Sequence, residues 1–171
     1  MKTLHTLLLL VFLGNTITTD IYAQVIKGTY AIRNVATGIV LRIKDAGTEN
    51  GTPIVAYSPV NWKCVTWDFK HQEDQTYQLQ NLYSGKTFQP KGAKAADGAG
   101  LEEQPLVAGN MVQEYEFIPA GKNTYLIKLK GASLYLTPAD NKGTVNAGIL
   151  LAKRADGRLQ QWTLQEQYPE M

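Results

Sequence analysis

Three stretches of the chain can be laid over one another: TYAIRNVATGIVL from Thr29, TYQLQNLYSGKTF from Thr76 and TYLIKLKGASLYL from Thr124. Their tyrosines, Tyr30, Tyr77 and Tyr125, are spaced 47 and 48 residues apart. Two positions beyond each tyrosine stands Ile32, Leu79 or Ile127. Further along come Leu41, Phe88 or Leu136, and then Ile54, Leu101 or Ile149. Each copy closes on an aromatic-x-apolar triplet: Trp67-Asp68-Phe69, Tyr115-Glu116-Phe117 and Trp162-Thr163-Leu164. A period of this size means one supersecondary unit used three times, with copies spanning about 28–70, 75–118 and 123–165.

Within each copy the apolar residues alternate with polar ones, which places them on one face of an extended strand. Turn formers such as Thr37-Gly38, Asn50-Gly51, Asp97-Gly98 and Asp156-Gly157 punctuate the runs, because Gly and Asn tolerate the positive φ of tight hairpins. No stretch after the leader keeps helical spacing for three turns. About four short strands per copy are expected, in an all-β closed arrangement. One copy cannot bury its own apolar face, whereas three around an axis can, and closure removes exposed sheet edges.

The N-terminus reads as a secretory signal peptide: Lys2, an apolar run from Leu7 to Leu13, and small Ala23 ahead of the expected cut. Residues 1–23 would be removed, leaving 24–171 as a single domain that is secreted or periplasmic. The apolar run is too short to span a membrane, which needs roughly 20 residues. With one cysteine, Cys64, no internal disulfide can form. Interspersed charges with a net formal charge of +2 supply no basic stripe for nucleic acid. The expected state is a monomer.

Three repeats closing near a Gln-x-Trp motif resemble the ricin-B-type β-trefoil lectin domains. The motif is Gln160-Gln161-Trp162, degenerate as Gln113-Glu114-Tyr115 and reduced to Val65-Thr66-Trp67; the run Gly38 to Tyr57 is also family-like. The resemblance covers Gly28 to Gln165 and implies a β-trefoil with carbohydrate as its ligand. A family galactose-type site combines an Asp, an aromatic platform and an Asn. Those positions here hold Arg42, Gln89 and Thr137; Tyr57, Gln104 and Ala152; and Cys64, Val112 and Leu159. Only Tyr57 matches, so a site of that type is not expected in any repeat.

Repeat 1 retains the composition of a carbohydrate subsite: Tyr57, Asn61 and Trp62 on one loop, with Asp45 on the hairpin facing it. A carboxylate or amide takes sugar hydroxyls, and an aromatic face stacks on the ring. The expected partner is thus a glycan or polysaccharide. The alternative is a protein partner, as for a protease inhibitor, with Arg154 or Arg158 entering an enzyme pocket.

No catalytic centre, metal site or cofactor is expected. His71 is the one histidine beyond the leader, and it sits in the polar link KHQEDQ; a Cys64–His71 nucleophile pair has less to recommend it than an inert Cys64. Glu114 and Glu116 on one strand, and the neighbours Glu102 and Glu103, read as solvated faces rather than paired catalytic carboxylates. Glu103 falls where Ala56 and Leu151 point inward, so a bulge or shifted register is expected there. Gln113 and Gln160 are expected to satisfy polar groups beneath their strands, and the C-terminal EQYPEM to fray.

Overall fold

Alternation of apolar and polar residues produces the expected strands. A computed structural model describes residues 24–170 and places twelve strands among them. They are β1 (Thr29–Asn34), β2 (Val40–Ile43), β3 (Ile54–Tyr57), β4 (Trp67–His71), β5 (Thr76–Asn81), β6 (Thr87–Pro90), β7 (Leu101–Gln104), β8 (Tyr115–Gly121), β9 (Thr124–Leu129), β10 (Leu134–Pro138), β11 (Ile149–Lys153) and β12 (Gln161–Glu166). Single 3-10 turns such as Lys44–Ala46 and Lys63–Val65 join some of them. The expected signal peptide lies outside the described residues.

Strands β1, β4, β5, β8, β9 and β12 pair in a ring, since β12 pairs with both β9 and β1. The ring is a closed six-stranded barrel. The other six strands form three hairpins, β2–β3, β6–β7 and β10–β11. The protein is an all-β β-trefoil.

The repeats obey their alignment at the level of single bonds. Tyr30 pairs with Trp67, Tyr77 with Tyr115 and Tyr125 with Trp162. The nine apolar anchors aligned above are all buried. The terminal aromatics make one polar contact each, and it is the same contact. Trp67 Nε1 donates to the Leu41 carbonyl at 3.3 Å, Tyr115 Oη to that of Phe88 at 3.3 Å, and Trp162 Nε1 to that of Leu136 at 3.1 Å. Each ring thereby fills the core with its polar handle satisfied. Around them Phe69, Phe117 and Tyr77 meet edge to face, with centroids 5.0–5.5 Å apart.

The hairpins are linked by a second threefold set. Gly51 and Thr52 exchange backbone hydrogen bonds with Glu103, Gly98 and Ala99 with Leu151, and Asn146 and Ala147 with Ala56, all at 2.7–2.8 Å. Glu103 therefore occupies its expected position in an unshifted register, contrary to the bulge read from sequence. Its pairing opposite Phe88 matches that of Ala56 opposite Leu41. The carboxyl is fully buried: Oε1 accepts a short hydrogen bond from Ser84, and Oε2 has no partner. Burial pushes its pKa up, opposed in part by Ser84 and the nearby Lys86 charge.

Three other readings also change. Glu114 is buried rather than solvated, and its carboxylate meets Lys130 Nζ at 2.7 Å. Glu102 is buried too and accepts from the Gly92 backbone N–H at 3.1 Å. The C-terminal stretch is tied down as far as Gln167, whose backbone N–H donates to Thr29 at 2.9 Å. Gln113 and Gln160 act as expected on neighbouring backbone: Gln113 accepts from Val107 N–H and Gln160 from Ala155 N–H, both at 2.9 Å.

Candidate functional site

A small second core lies apart from the barrel interior. Ala31, Val40, Cys64 and Val65 are buried together, and Ala46, Tyr57 and Val60 pack against them. This cluster brings the three segments of repeat 1 to one place: the Lys44–Ala46 turn, the end of β3, and the Lys63–Val65 turn. Asp45 and Ala46 both have positive φ, 52° and 51°, a left-handed conformation that turns the chain sharply after β2. The loop from Val60 to Thr66 is pinned by the C-terminal segment. Gln167 donates to the Val60 carbonyl at 2.9 Å and accepts from the Thr66 hydroxyl at 2.7 Å.

Tyr57 and Trp62 come together as expected, with ring centroids 6.1 Å apart and planes inclined by 35°. Trp62 is 38% exposed. Tyr83, in the turn that follows β5, is 50% exposed and was not singled out from the sequence. It joins Ala46, Trp62, Lys63 and Cys64 around a mostly apolar hollow of about 320 Å³, at the small end of ligand-sized sites. Asp45 and Asn61 are exposed, and neither makes a side-chain hydrogen bond or ion pair with another described residue. The geometry unites the aromatics and leaves the two polar groups free at the surface.

Arg42 takes the position where a family galactose-type site has its Asp. Its guanidinium carbon lies 4.0 Å from the Tyr57 ring centroid, a cation–π contact that covers one face of that ring. A covered face cannot stack on a sugar. The aromatic surfaces open to solvent are those of Trp62 and Tyr83.

The corresponding positions in the other repeats spend their polar groups internally. Gln113 Nε2 donates to Gln89 Oε1 at 3.0 Å, and Gln104 Nε2 to Glu102 at 3.1 Å. In repeat 3, Arg154 is exposed and donates to the Ala155 carbonyl and to Gln160. His71 is exposed and bonds the Asp74 carbonyl at 2.9 Å, whereas Cys64 is buried in the second core; no contact joins the two. Among the described residues no group of three or more His, Cys, Asp and Glu could hold a metal ion. Nor, among them, is any helix long and apolar enough to cross a membrane.

Fold and hollow together define a β-trefoil with an aromatic surface where its first and second repeats meet. Residues 20–103, which hold the first repeat and part of the second, match the ricin-type beta-trefoil lectin domain-like family. Among solved structures, the chain is similar to the designed threefold-symmetric protein ThreeFoil (TM-score 0.77, 22% identity, covering 81% of this chain and 99% of that one). It is also similar to the ricin B-like lectin of Macrolepiota procera, solved in complex with lactose (TM-score 0.67, 23% identity, 84% and 99% covered). A third similar structure is an exo-beta-1,3-galactanase from Clostridium thermocellum (TM-score 0.75, 21% identity). There the likeness covers 80% of this chain but 30% of the enzyme, so this chain spans under a third of that enzyme's length. No curated protein sequence matches the chain.

Proposed function

We propose that the protein is a secreted, non-catalytic carbohydrate-binding module, exported by a leader cleaved after Ala23. It contacts glycan through the face of repeat 1 that carries Asp45, Tyr57, Asn61 and Trp62, extended by Tyr83. The observation that carries this reading is the pair of exposed aromatic rings, Trp62 and Tyr83, flanking one hollow. Exposed aromatics grouped around one hollow mark an interaction site, and sugar rings offer the C–H faces that such rings stack upon. Asp45 and Asn61 supply acceptor and amide groups for hydroxyls at the rim. Support also comes from the ricin-type lectin-like match and from the lactose complex of the Macrolepiota procera lectin. A single shallow site gives weak binding, and avidity on a polymer compensates for it.

Affinity electrophoresis through gels cast with a range of polysaccharides tests this reading. Retardation by at least one polymer, abolished in both Trp62→Ala and Tyr83→Ala, is the expected result. Retardation that survives both substitutions would move the site elsewhere. No retardation by any polymer would remove the function.

A further inference from the structure

Arg42 is an unpaired cation. It is half-buried in strand β2, and no carboxylate among the described residues forms an ion pair with it. Its Nε is buried with no acceptor. A guanidinium carries five N–H donors in a fixed plane, and a partly buried one normally spends them on carboxylate or carbonyl oxygen. Here the contact made is with the face of the Tyr57 ring. Stacking engages the flat side of the guanidinium and leaves its edge, where the N–H groups lie, without an acceptor. Such a stacked and oriented fork suits bidentate capture of an oxyanion.

The surroundings have the same sign. Lys63 lines the hollow beside Trp62, and Lys44 stands at the turn after β2. Neither forms an ion pair among the described residues. Asp45 is the one acid in the same turn, and it too is unpaired. Lys63 thus lies in the hollow itself, and Arg42 stands one ring away, on Tyr57, whose centroid is 6.1 Å from that of Trp62.

We infer that the repeat-1 face binds an acidic sugar, whose ring stacks on Trp62 while its carboxylate or sulfate is held by Arg42 and Lys63. The inference rests on the carbohydrate-binding reading and narrows it to anionic glycans. It also explains the residue at the family's Asp position. An Asp there would repel an anion, and Arg42 attracts one.

The test is biolayer interferometry on the immobilised protein at physiological ionic strength, with polymers in matched pairs. Polygalacturonate is set against neutral galactan, and dextran sulfate against dextran, so that the two arms separate a carboxylate from a sulfate requirement. At least one acidic polymer should bind ten times more tightly than its neutral partner. Arg42→Met should lose most of that advantage while its melting temperature stays at or above that of the parent, because a buried N–H without an acceptor has been removed. Lys122→Gln, which removes an equal charge from an exposed site elsewhere, should change affinity less than twofold. Equal loss in Arg42→Met and Lys122→Gln would reduce the effect to general charge attraction and overturn the inference. Binding of a neutral polymer with no acidic preference, lost in Trp62→Ala, would overturn it and leave the carbohydrate reading standing. Failure of all four polymers to bind would overturn the inference, and the wider gel survey decides the carbohydrate reading independently.

Discussion

The Trp162 indole donates to the carbonyl of Leu136, 26 residues earlier, across 3.1 Å of barrel interior. The same bond joins Trp67 to Leu41 and, through a phenol, Tyr115 to Phe88. Three aromatics thus serve as struts between a barrel strand and a hairpin strand. The clean test is Tyr115→Phe, which removes one hydroxyl and little volume. It should cost about 1 kcal/mol in urea unfolding. Trp162→Ala also opens a cavity and should cost about 3–5 kcal/mol.

Asn34 and Asn81 occupy equivalent places in repeats 1 and 2 and are both buried. Asn34 Oδ1 accepts from the backbone N–H groups of Ala36 and Thr37, both at 3.1 Å, and its amide reaches the Leu159 carbonyl at 2.8 Å. Repeat 3 has Leu129 at this position. Asn34→Leu is nevertheless predicted to cost about 2–4 kcal/mol, since it orphans the turn donors of repeat 1. Urea denaturation measures it; a neutral result would show that water satisfies that turn.

Glu103 makes stability depend on pH. Its pKa is raised in the folded state above the ordinary 4.5. The folded state therefore holds the proton more tightly than the unfolded chain. That contribution is complete below about pH 4.5 and is lost as pH rises through the raised value. Glu103→Gln imitates the protonated acid. It should stabilise the protein by about 1 kcal/mol at pH 8 and by close to nothing at pH 4. Urea midpoints at the two pH values give the comparison, and an equal effect at both would contradict the assignment.

Lys130 stands between Glu114, buried, and Glu73, largely exposed, at 2.7 Å from each. Hydrogen bonds to the two carboxylates hold its ammonium well above the usual lysine range. Lys130→Met would leave the Glu114 carboxylate buried without a counter-ion, and should lower the melting temperature clearly at pH 7. Glu73→Gln removes only the exposed partner and should barely move it. A larger effect from Glu73→Gln would reverse this ranking.

Much of the fold was legible because threefold repetition supplies an internal control. An apolar residue seen once is ambiguous, but Leu41, Phe88 and Leu136 in register mark one core position. The unshifted register at Glu103 is not legible in the sequence, for the opposite reason. Its neighbours in the alignment are apolar, and sequence alone does not disclose that Ser84 would reach it from the preceding turn. The burial of Glu114 is not legible either, because its partner Lys130 lies 16 residues on, in the turn after β9. In the site, Tyr57 and Trp62 were visible as aromatics on one loop. Arg42 shows in the sequence only as a departure from the family's Asp, since its contact with Tyr57 runs between β2 and β3. Tyr83 belongs to another repeat altogether. An aromatic beside a turn glycine, where repeat 1 has Ala36, was the available signal.

Of the three tryptophans, Trp67 and Trp162 are fully buried and Trp62 is exposed. Acrylamide quenching of intrinsic fluorescence therefore reports on Trp62. Titration with a polysaccharide that retards the protein should shield Trp62 and lower the quenching constant, and Trp62→Phe should abolish that change. Bound polysaccharide with quenching unaltered would place the sugar elsewhere and contradict the account.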